Sequence, residues 1–145
     1  MIIKPLNEID HKEWLPLWKA YQSFYKVELN EEVNDLTWKR LIDPHFKNMY
    51  GFAVLLNNKV VGIVHVIEHE SCWTIEPYAY LQDLYVDEDY RGRGVARLLI
   101  EHVYGVAKHR GCDRVYWLTH ESNKQARHLY DRVAKQTGFI QYRNR

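Results

Sequence analysis

The feature that most constrains the fold of this chain is a strand that passes through a glycine-containing turn into a helix, over residues 81–106. Leu81, Leu84 and Val86 are apolar residues typical of a strand, and later apolar residues recur at the spacing of a buried helix face. Gly92 and Gly94 keep bulky side chains out of the turn. The first N–H groups of a helix lack partners within it, and the helix dipole favours negative charge there. The segment therefore predicts a phosphate-binding turn.

Two common phosphate-binding loops do not fit this turn. A P-loop requires Gly-Lys-Ser/Thr, whereas Gly94 is followed by Val95 and Ala96. A dinucleotide-binding fingerprint requires a third glycine where Arg97 stands, because a side chain there keeps the helix from packing closely on its strand. Neither a P-loop nor a dinucleotide fold is predicted.

The turn resembles the coenzyme A motif Arg/Gln-x-x-Gly-x-Gly/Ala of the GNAT superfamily of N-acetyltransferases, which Arg91, Gly94 and Ala96 satisfy. A second motif of that superfamily follows, with Asn123 opening a helix and Tyr130 about two turns later. The resemblance covers nearly the whole chain. Around residues 81–86 it is closest to the diamine and polyamine acetyltransferases and to the histone and amino-acid acetyltransferases.

The resemblance implies direct transfer of the acetyl group of acetyl-CoA to a primary amine in a ternary complex, with no metal. A backbone N–H near Val86 would stabilise the oxyanion, and Tyr130 would protonate the departing thiolate. The implied contacts to acetyl-CoA come from Leu84, Tyr85, Val86, Arg91, Gly92, Arg93, Gly94, Val95, Ala96, Arg97, Asn123, Ala126 and Tyr130.

The acceptor amine must lose a proton before it attacks, because an alkyl ammonium has a pKa of about 10.4. Asp83 is the predicted base, acting through a water molecule. Related polyamine enzymes carry Glu where this chain has Gln82, a departure that argues against a direct carboxylate base at that position and against polyamine as the acceptor.

Acidic and aromatic residues in the first two helices suit a cationic acceptor. The predicted substrate-binding residues are Glu28, Glu31, Glu32, Gln82 and Asp83. The alternative is that the glutamates form an ordinary solvated surface. The acceptor remains open between a small amine, an amino acid and a lysine side chain on a peptide. A catalytically silent acyl-CoA-binding or regulatory subunit is the alternative function.

The resemblance also implies the fold class: α/β (α+β), with a mixed, mostly antiparallel, twisted sheet flanked by helices and with its fourth and fifth strands splayed apart. A bulge is predicted near Gln82 and Asp83, because Leu81 and Leu84 break the alternation of a strand. The alternative is that these two residues only form a polar face of the strand. The helix carrying Tyr130 is predicted to be one turn longer than in most of the superfamily. Strands are predicted over residues 2–6, 52–56, 60–66, 81–86, 115–119 and 139–142.

Composition predicts one GNAT domain spanning residues 1–145, with a hydrophobic fraction of 46% that is sufficient for a core. The net charge of +1 argues against nucleic-acid binding. No apolar run resembles a signal peptide or a membrane span, so a cytoplasmic protein that does not bind membranes is expected.

Cysteine and histidine usage argues against structural crosslinks and metal sites. Cys72 and Cys112 are isolated, which makes a disulfide framework or a zinc site improbable and favours a reducing compartment. The eight histidines form no H-x-x-x-H pair and are assigned to the surface or to packing. The aromatic fraction of 14% is compatible with a homodimer interface.

Overall fold

The computed structural model describes residues 1–145 and contains one five-stranded sheet and four α-helices. Strands β1 to β4 are antiparallel neighbours in chain order, and β5 pairs in parallel with β4. None of the helices has the length and apolar character needed to cross a membrane. The elements are β1 (Ile2–Pro5), α1 (His11–Phe24), α2 (Glu31–Ile42), β2 (Met49–Leu56), β3 (Lys59–His69), β4 (Tyr78–Val86), α3 (Val95–His109), β5 (Arg114–Tyr116) and α4 (Lys124–Val133).

Both of the first two helices begin at side-chain caps. Asp10 Oδ1 accepts a hydrogen bond from the N–H of Lys12 at 3.1 Å, and Asn30 Oδ1 accepts one from the N–H of Val33 at 2.9 Å. Each bond caps an N–H group of the first helical turn. Pro16 lies inside α1 without ending it.

The sheet is covered on both faces by apolar layers. On one face α3 packs Leu99, Ile100 and Val103 against the sheet, and on the other α1 packs Trp14 and Leu17. Burying each such side chain contributes about 1.5–3 kcal/mol. Because β2 and β3 are buried from both sides, they consist of nearly continuous apolar runs rather than alternating sequence.

A tight hairpin joins β2 to β3, and the predicted bulge is present in β4. Asn57 and Asn58 have positive φ angles of 51° and 64°, as a tight turn between β2 and β3 requires. In the next strand pair, His65 lies opposite Asp83 while Val66 lies opposite Leu81. Gln82 is therefore the extra residue of a β-bulge.

Strands β4 and β5 splay apart as predicted. Their pairing is limited to Tyr78–Tyr80 against Arg114–Tyr116, so β4 has no neighbour on that side from residue 81 onwards. Strand β5 ends at Tyr116, earlier than the predicted range of 115–119. The resulting gap lies between the end of β4 and the segment that leads into α4.

Two predictions near the C-terminus are wrong. Helix α4 does not gain a turn but ends at Val133, whose carbonyl accepts a hydrogen bond from the Tyr104 hydroxyl at 2.7 Å, and Ala134 is extended. Residues 139–142 form no strand, and their large apolar side chains are exposed. The apolar run has strand propensity, but it finds no hydrogen-bonding partner among the five strands of this chain.

Candidate active site

The glycine turn ends at an open helix N-terminus. Gly92 and Gly94 have φ angles of 76° and 81°, in the left-handed region that favours glycine. Gly94 is the N-cap of α3 and supplies no side-chain cap, so the N–H groups of the first helical turn remain free. A Cβ atom built on either glycine would meet no atom within 4 Å. This open, electropositive turn fits a phosphate group.

A third glycine sets the position of this helix on the sheet. A Cβ atom on Gly62 of β3 would lie 2.7 Å from Cγ1 of Val95, the first residue of α3. Any larger residue at this position would require the Val95 side chain or the helix to shift. The role of Gly62 could not be predicted from the sequence, because nothing local indicates which strand residue the helix will contact.

Arg91 connects the glycine turn to the end of β4. Its Nε donates a hydrogen bond to the carbonyl oxygen of Val86 at 3.1 Å, and its guanidinium lies 5.4 Å from the ring centre of Tyr85. Arg93 and Arg97 add positive charge to the same turn. The turn therefore combines free N–H groups with three cations, a composition suited to a polyanion.

The free edge of β4 carries unpaired main-chain groups. The N–H of Asp87 bonds to the Val61 carbonyl at 2.8 Å. Every second residue of β4, counted back from Asp87, therefore directs its N–H and C=O groups towards β3. Leu84 and Val86 point the other way, into the gap left by β5. Since the Val86 carbonyl is bonded to Arg91, the edge offers the Val86 N–H and both main-chain groups of Leu84.

Helix α4 carries the second motif. Asn123 is its N-cap residue, and its Nδ2 donates to Oγ1 of Thr119 at 3.4 Å. Ala126 and Tyr130 follow on the helix and are half-buried, and the Tyr130 ring lies 5.4 Å from that of Trp117 in an edge contact. Burial raises the pKa of Tyr130, with a smaller contribution from Tyr25, so its hydroxyl keeps its proton near neutral pH.

Asp83 lies beside the bulge, opposite a buried histidine. His65 Nδ1 is 3.0 Å from Asp83 Oδ2, and the Asp83 side chain is 16% exposed. On its other side, His65 Nε2 accepts a hydrogen bond from Trp14 Nε1 at 3.0 Å. The prediction that the histidines serve only the surface or packing therefore misses a polar contact of His65. The available signal was a titratable residue within the apolar run of β3.

Tyrosines from the end of α1 also face this position. Burial raises the pKa of Tyr21, and the nearby charge of Asp83 raises it further. Tyr25 is one turn later, with its ring centre 5.1 Å from that of Tyr21. Burial followed by the Asp83 charge likewise raises the pKa of Tyr80. Neither Tyr21 nor Tyr25 is among the site residues predicted from the sequence.

The predicted substrate residues fall into two groups. Gln82 and Asp83 are adjacent at the bulge. Glu28 is exposed in the connection between α1 and α2, and Glu31 and Glu32 are exposed in the first turn of α2. Glu31 pairs with Lys19 of α1 at 3.2 Å. The hydrogen bonds and ion pairs of the structure do not link these glutamates to Asp83.

The sequence of the chain matches a known protein family. A profile of the acetyltransferase (GNAT) family matches residues 14–134, which include the glycine turn and both motifs. The chain belongs to the GNAT family of acetyltransferases. It is 37% identical over 144 residues to the D-amino-acid N-acetyltransferase HPA3 of Saccharomyces cerevisiae, covering 99% of this chain and 89% of that one. It is 30% identical over 91 residues to a thialysine N-epsilon-acetyltransferase of Caenorhabditis elegans, covering 63% of this chain and 56% of that protein.

Solved structures of GNAT enzymes share the fold. The ribosomal-protein-alanine N-acetyltransferase of Brucella melitensis superposes with a TM-score of 0.80 at 21% identity, over 100% of this chain and 99% of that one. The aminoglycoside N-acetyltransferase AAC(6')-Iy in complex with CoA gives a TM-score of 0.83 at 16% identity, over 99% of this chain and 93% of that one.

The family assignment confirms the predicted fold class and enzyme class. GNAT enzymes use acetyl-CoA as the acyl donor, so the chain is an acetyl-CoA-dependent N-acetyltransferase that acts on an amine. No group of three or more histidine, cysteine, aspartate or glutamate side chains is arranged to hold a metal ion.

Proposed function

We propose that the enzyme acetylates the primary amine of a small acceptor of the amino-acid class, with Asp83 at the acceptor site. The observation that carries this proposal is the position of Asp83, a carboxylate among tyrosines beside the free edge of β4. A carboxylate and aromatic rings together attract an ammonium group. The similarity to a D-amino-acid N-acetyltransferase supports the amino-acid class.

The acyl donor would bind along the free edge of β4 and over the glycine turn. The N–H groups of Val95, Ala96 and Arg97 would bind its pyrophosphate. The main-chain groups of Leu84 would pair with its pantetheine arm as an added strand does, which leaves the Val86 N–H for the acyl group. Acetyl-CoA supplies the activated acyl group in this arrangement. The three arginines of the turn add charge complementarity to its phosphates.

Two residues of the chain would handle protons. Making an alkyl ammonium neutral near pH 7 costs about 4–5 kcal/mol, and Asp83 would accept the proton through a water molecule. Tyr130 retains its proton at this pH because burial raises its pKa, and it would donate that proton to the departing sulfur. The Val86 N–H would donate a hydrogen bond to the acyl oxygen.

The glutamates of the α2 region would act at longer range. Glu28, Glu31 and Glu32 are exposed and carry negative charge towards an approaching cation. Such a charge cluster raises the encounter rate of a cationic acceptor more than its affinity at the site. This role is sensitive to ionic strength, which separates it from that of Asp83.

The experiment is an acceptor panel followed by thiol release from acetyl-CoA. The panel contains D- and L-amino acids, a diamine, a polyamine and a lysine peptide, each with wild type and Asp83→Asn. We expect turnover with amino acids and a loss of about 10²-fold or more in Asp83→Asn. If the lysine peptide is the best acceptor, the proposal of an amino-acid acceptor is wrong and a lysine side chain on a protein takes its place. Absence of turnover with every amine would support the silent subunit instead.

We further propose that the enzyme is a homodimer. Phe139, Ile140 and Tyr142 are exposed on the chain after α4, an unusual concentration of large apolar residues for a free surface. A second copy that covers them would remove this surface from water. Sedimentation should give a dimer that dissociates in Ile140→Ser with Tyr142→Ser, and a monomeric wild type would rule the dimer out.

We also propose one catalytic domain over residues 1–145 that works in the cytoplasm. Both apolar layers share one sheet, which supports a single folding unit. Cys72 and Cys112 are free thiols, as a reducing compartment would allow. One cooperative unfolding transition and recovery in the cytosolic fraction are the expected results.

A further inference from the structure

His65 is a buried polar residue whose ring lies at the centre of an aromatic cluster. The residue is 2% exposed, and its ring centre is 5.0 Å from that of Trp18 and 5.9 Å from that of Trp14. Burial of a polar ring is unfavourable unless both nitrogens find partners. Both do, as the contacts to Trp14 and Asp83 show.

These contacts determine which ring nitrogen carries the proton. The indole N–H of Trp14 can only donate, and it points at His65 Nε2 at 3.0 Å, so Nε2 is the acceptor and carries no proton. The ring proton is therefore on Nδ1, which lies 3.0 Å from Asp83 Oδ2 and donates to it. If both ring nitrogens carried a proton, the Nε2–H of His65 would point at the indole N–H of Trp14, and neither group could accept a hydrogen bond.

The same contacts restrict the Asp83 carboxylate. His65 Nδ1 donates to Oδ2 at 3.0 Å from the neighbouring strand β3. We propose that His65 is a positioning residue, which holds Asp83 in the rotamer that faces the acceptor, and that Trp14 sets the tautomer that allows it. This inference rests on the proposed role of Asp83.

Two substitutions at position 65 separate positioning from packing. Asn places an amide nitrogen near the position of His65 Nδ1 and keeps a donor for Asp83. Gln places its amide near the position of Nε2, so it keeps a partner for Trp14 and loses the donor. Packing alone predicts that Asn, the smaller side chain, is at least as disruptive as Gln, whereas positioning predicts that Asn retains more activity than Gln.

The functional test is a double-mutant cycle on kcat and KM. We expect His65→Gln to lower kcat about tenfold, as expected when a hydrogen bond to a charged group is lost, with the KM for acetyl-CoA unchanged. His65→Asn should recover most of that loss. In an Asp83→Asn background, His65→Gln should cause no further loss, because the group it positions is gone.

The outcomes separate this inference from the proposed function. If Asp83→Asn lowers kcat but His65→Gln does not, or if Gln and Asn act alike, the positioning role is wrong and the role of Asp83 stands. If Asp83→Asn keeps full turnover, both are wrong. Nitrogen NMR of the wild-type ring provides a test that no folding defect affects: a proton on Nδ1 is expected, and one on Nε2 would overturn the inference.

Discussion

Gly94 has a backbone conformation that few other residues adopt, at the point where a phosphate would approach. With φ of 81°, an alanine there costs about 1–2 kcal/mol, and its methyl group would enter the open space above the turn. We predict that Gly94→Ala weakens acetyl-CoA binding about tenfold or more by calorimetry. The control is Gly111→Ala, which has φ of 83° beyond the other end of α3 and carries the same strain away from the turn. Equal loss of affinity in both variants would contradict the phosphate site.

Tyr130 provides the second test at the residue scale. Tyr130→Phe keeps the ring against Trp117 and removes the hydroxyl. We expect turnover to fall by about 10²-fold while acetyl-CoA affinity is nearly unchanged. Tyr104→Phe is the matched control, because it removes a hydroxyl that bonds to the end of α4 but lies outside the proposed site. A Tyr130→Phe enzyme with wild-type turnover, when chemistry limits the rate, would exclude the role as proton donor.

At the scale of elements, local sequence predicted those whose signals lie within one segment. Helix α3 was predicted because its apolar residues and its glycine turn are both local signals. The bulge at Gln82 was predicted from broken alternation alone. The strand prediction for residues 139–142 was wrong because a strand requires a hydrogen-bonding partner, and no property of the segment itself indicates whether one is available.

One ion-pair network joins β3 to the C-terminal end of α3. Glu68 accepts hydrogen bonds from Arg110 and from the Tyr50 hydroxyl. Burial tends to raise the pKa of Glu68, but the bonds from Arg110 and Tyr50 outweigh it and lower the pKa below 4.5. The charged form is thus stabilised in the folded state, and this contribution is present above pH 4.5 and lost as pH falls through the lowered pKa.

Glu68→Gln should therefore destabilise the protein in a pH-dependent manner. We predict a loss of about 1 kcal/mol at neutral pH, discounted for the partly exposed Arg110, by urea unfolding. The difference from wild type should shrink as pH falls below 4.5. Glu101→Gln, which breaks an exposed pair with Arg97, should change stability little at any pH. A constant difference across pH would assign the loss to packing.

At the scale of the whole molecule, the candidate site joins distant parts of the chain. The motifs around Gly94 and Tyr130 were predicted because each lies within one turn-and-helix unit. The contacts of His65 and Tyr21 with Asp83 were not, because they join separate elements that only the folded sheet brings together. Sequence therefore predicted the acyl-donor side of the site better than the acceptor side.

The distribution of charge over the molecule leads to a test in solution. If Glu31 and Glu32 attract the acceptor, Glu31→Gln with Glu32→Gln should raise the KM of a cationic amine and leave that of acetyl-CoA unchanged. The effect should fade with added salt, since exposed charges are screened beyond about 8–10 Å. Glu13→Gln is the control, because Glu13 lies in the first turn of α1 just as Glu31 and Glu32 lie in the first turn of α2. Unaltered amine kinetics in the double variant would make the glutamates a solvated surface.

The bulge at Gln82 is not required for the stability of the sheet but is required for the gap between β4 and β5. Removing this residue would leave Leu81, Leu84 and Val86 on the side of the sheet they already occupy, because regular alternation would then run through β4. A chain one residue shorter should thus fold equally well, yet pair β4 with β5 beyond Tyr80 and close the gap between them. We predict that deletion of Gln82 preserves the melting temperature and abolishes acetyl-CoA binding. The stability of the fold alone therefore does not account for the presence of Gln82.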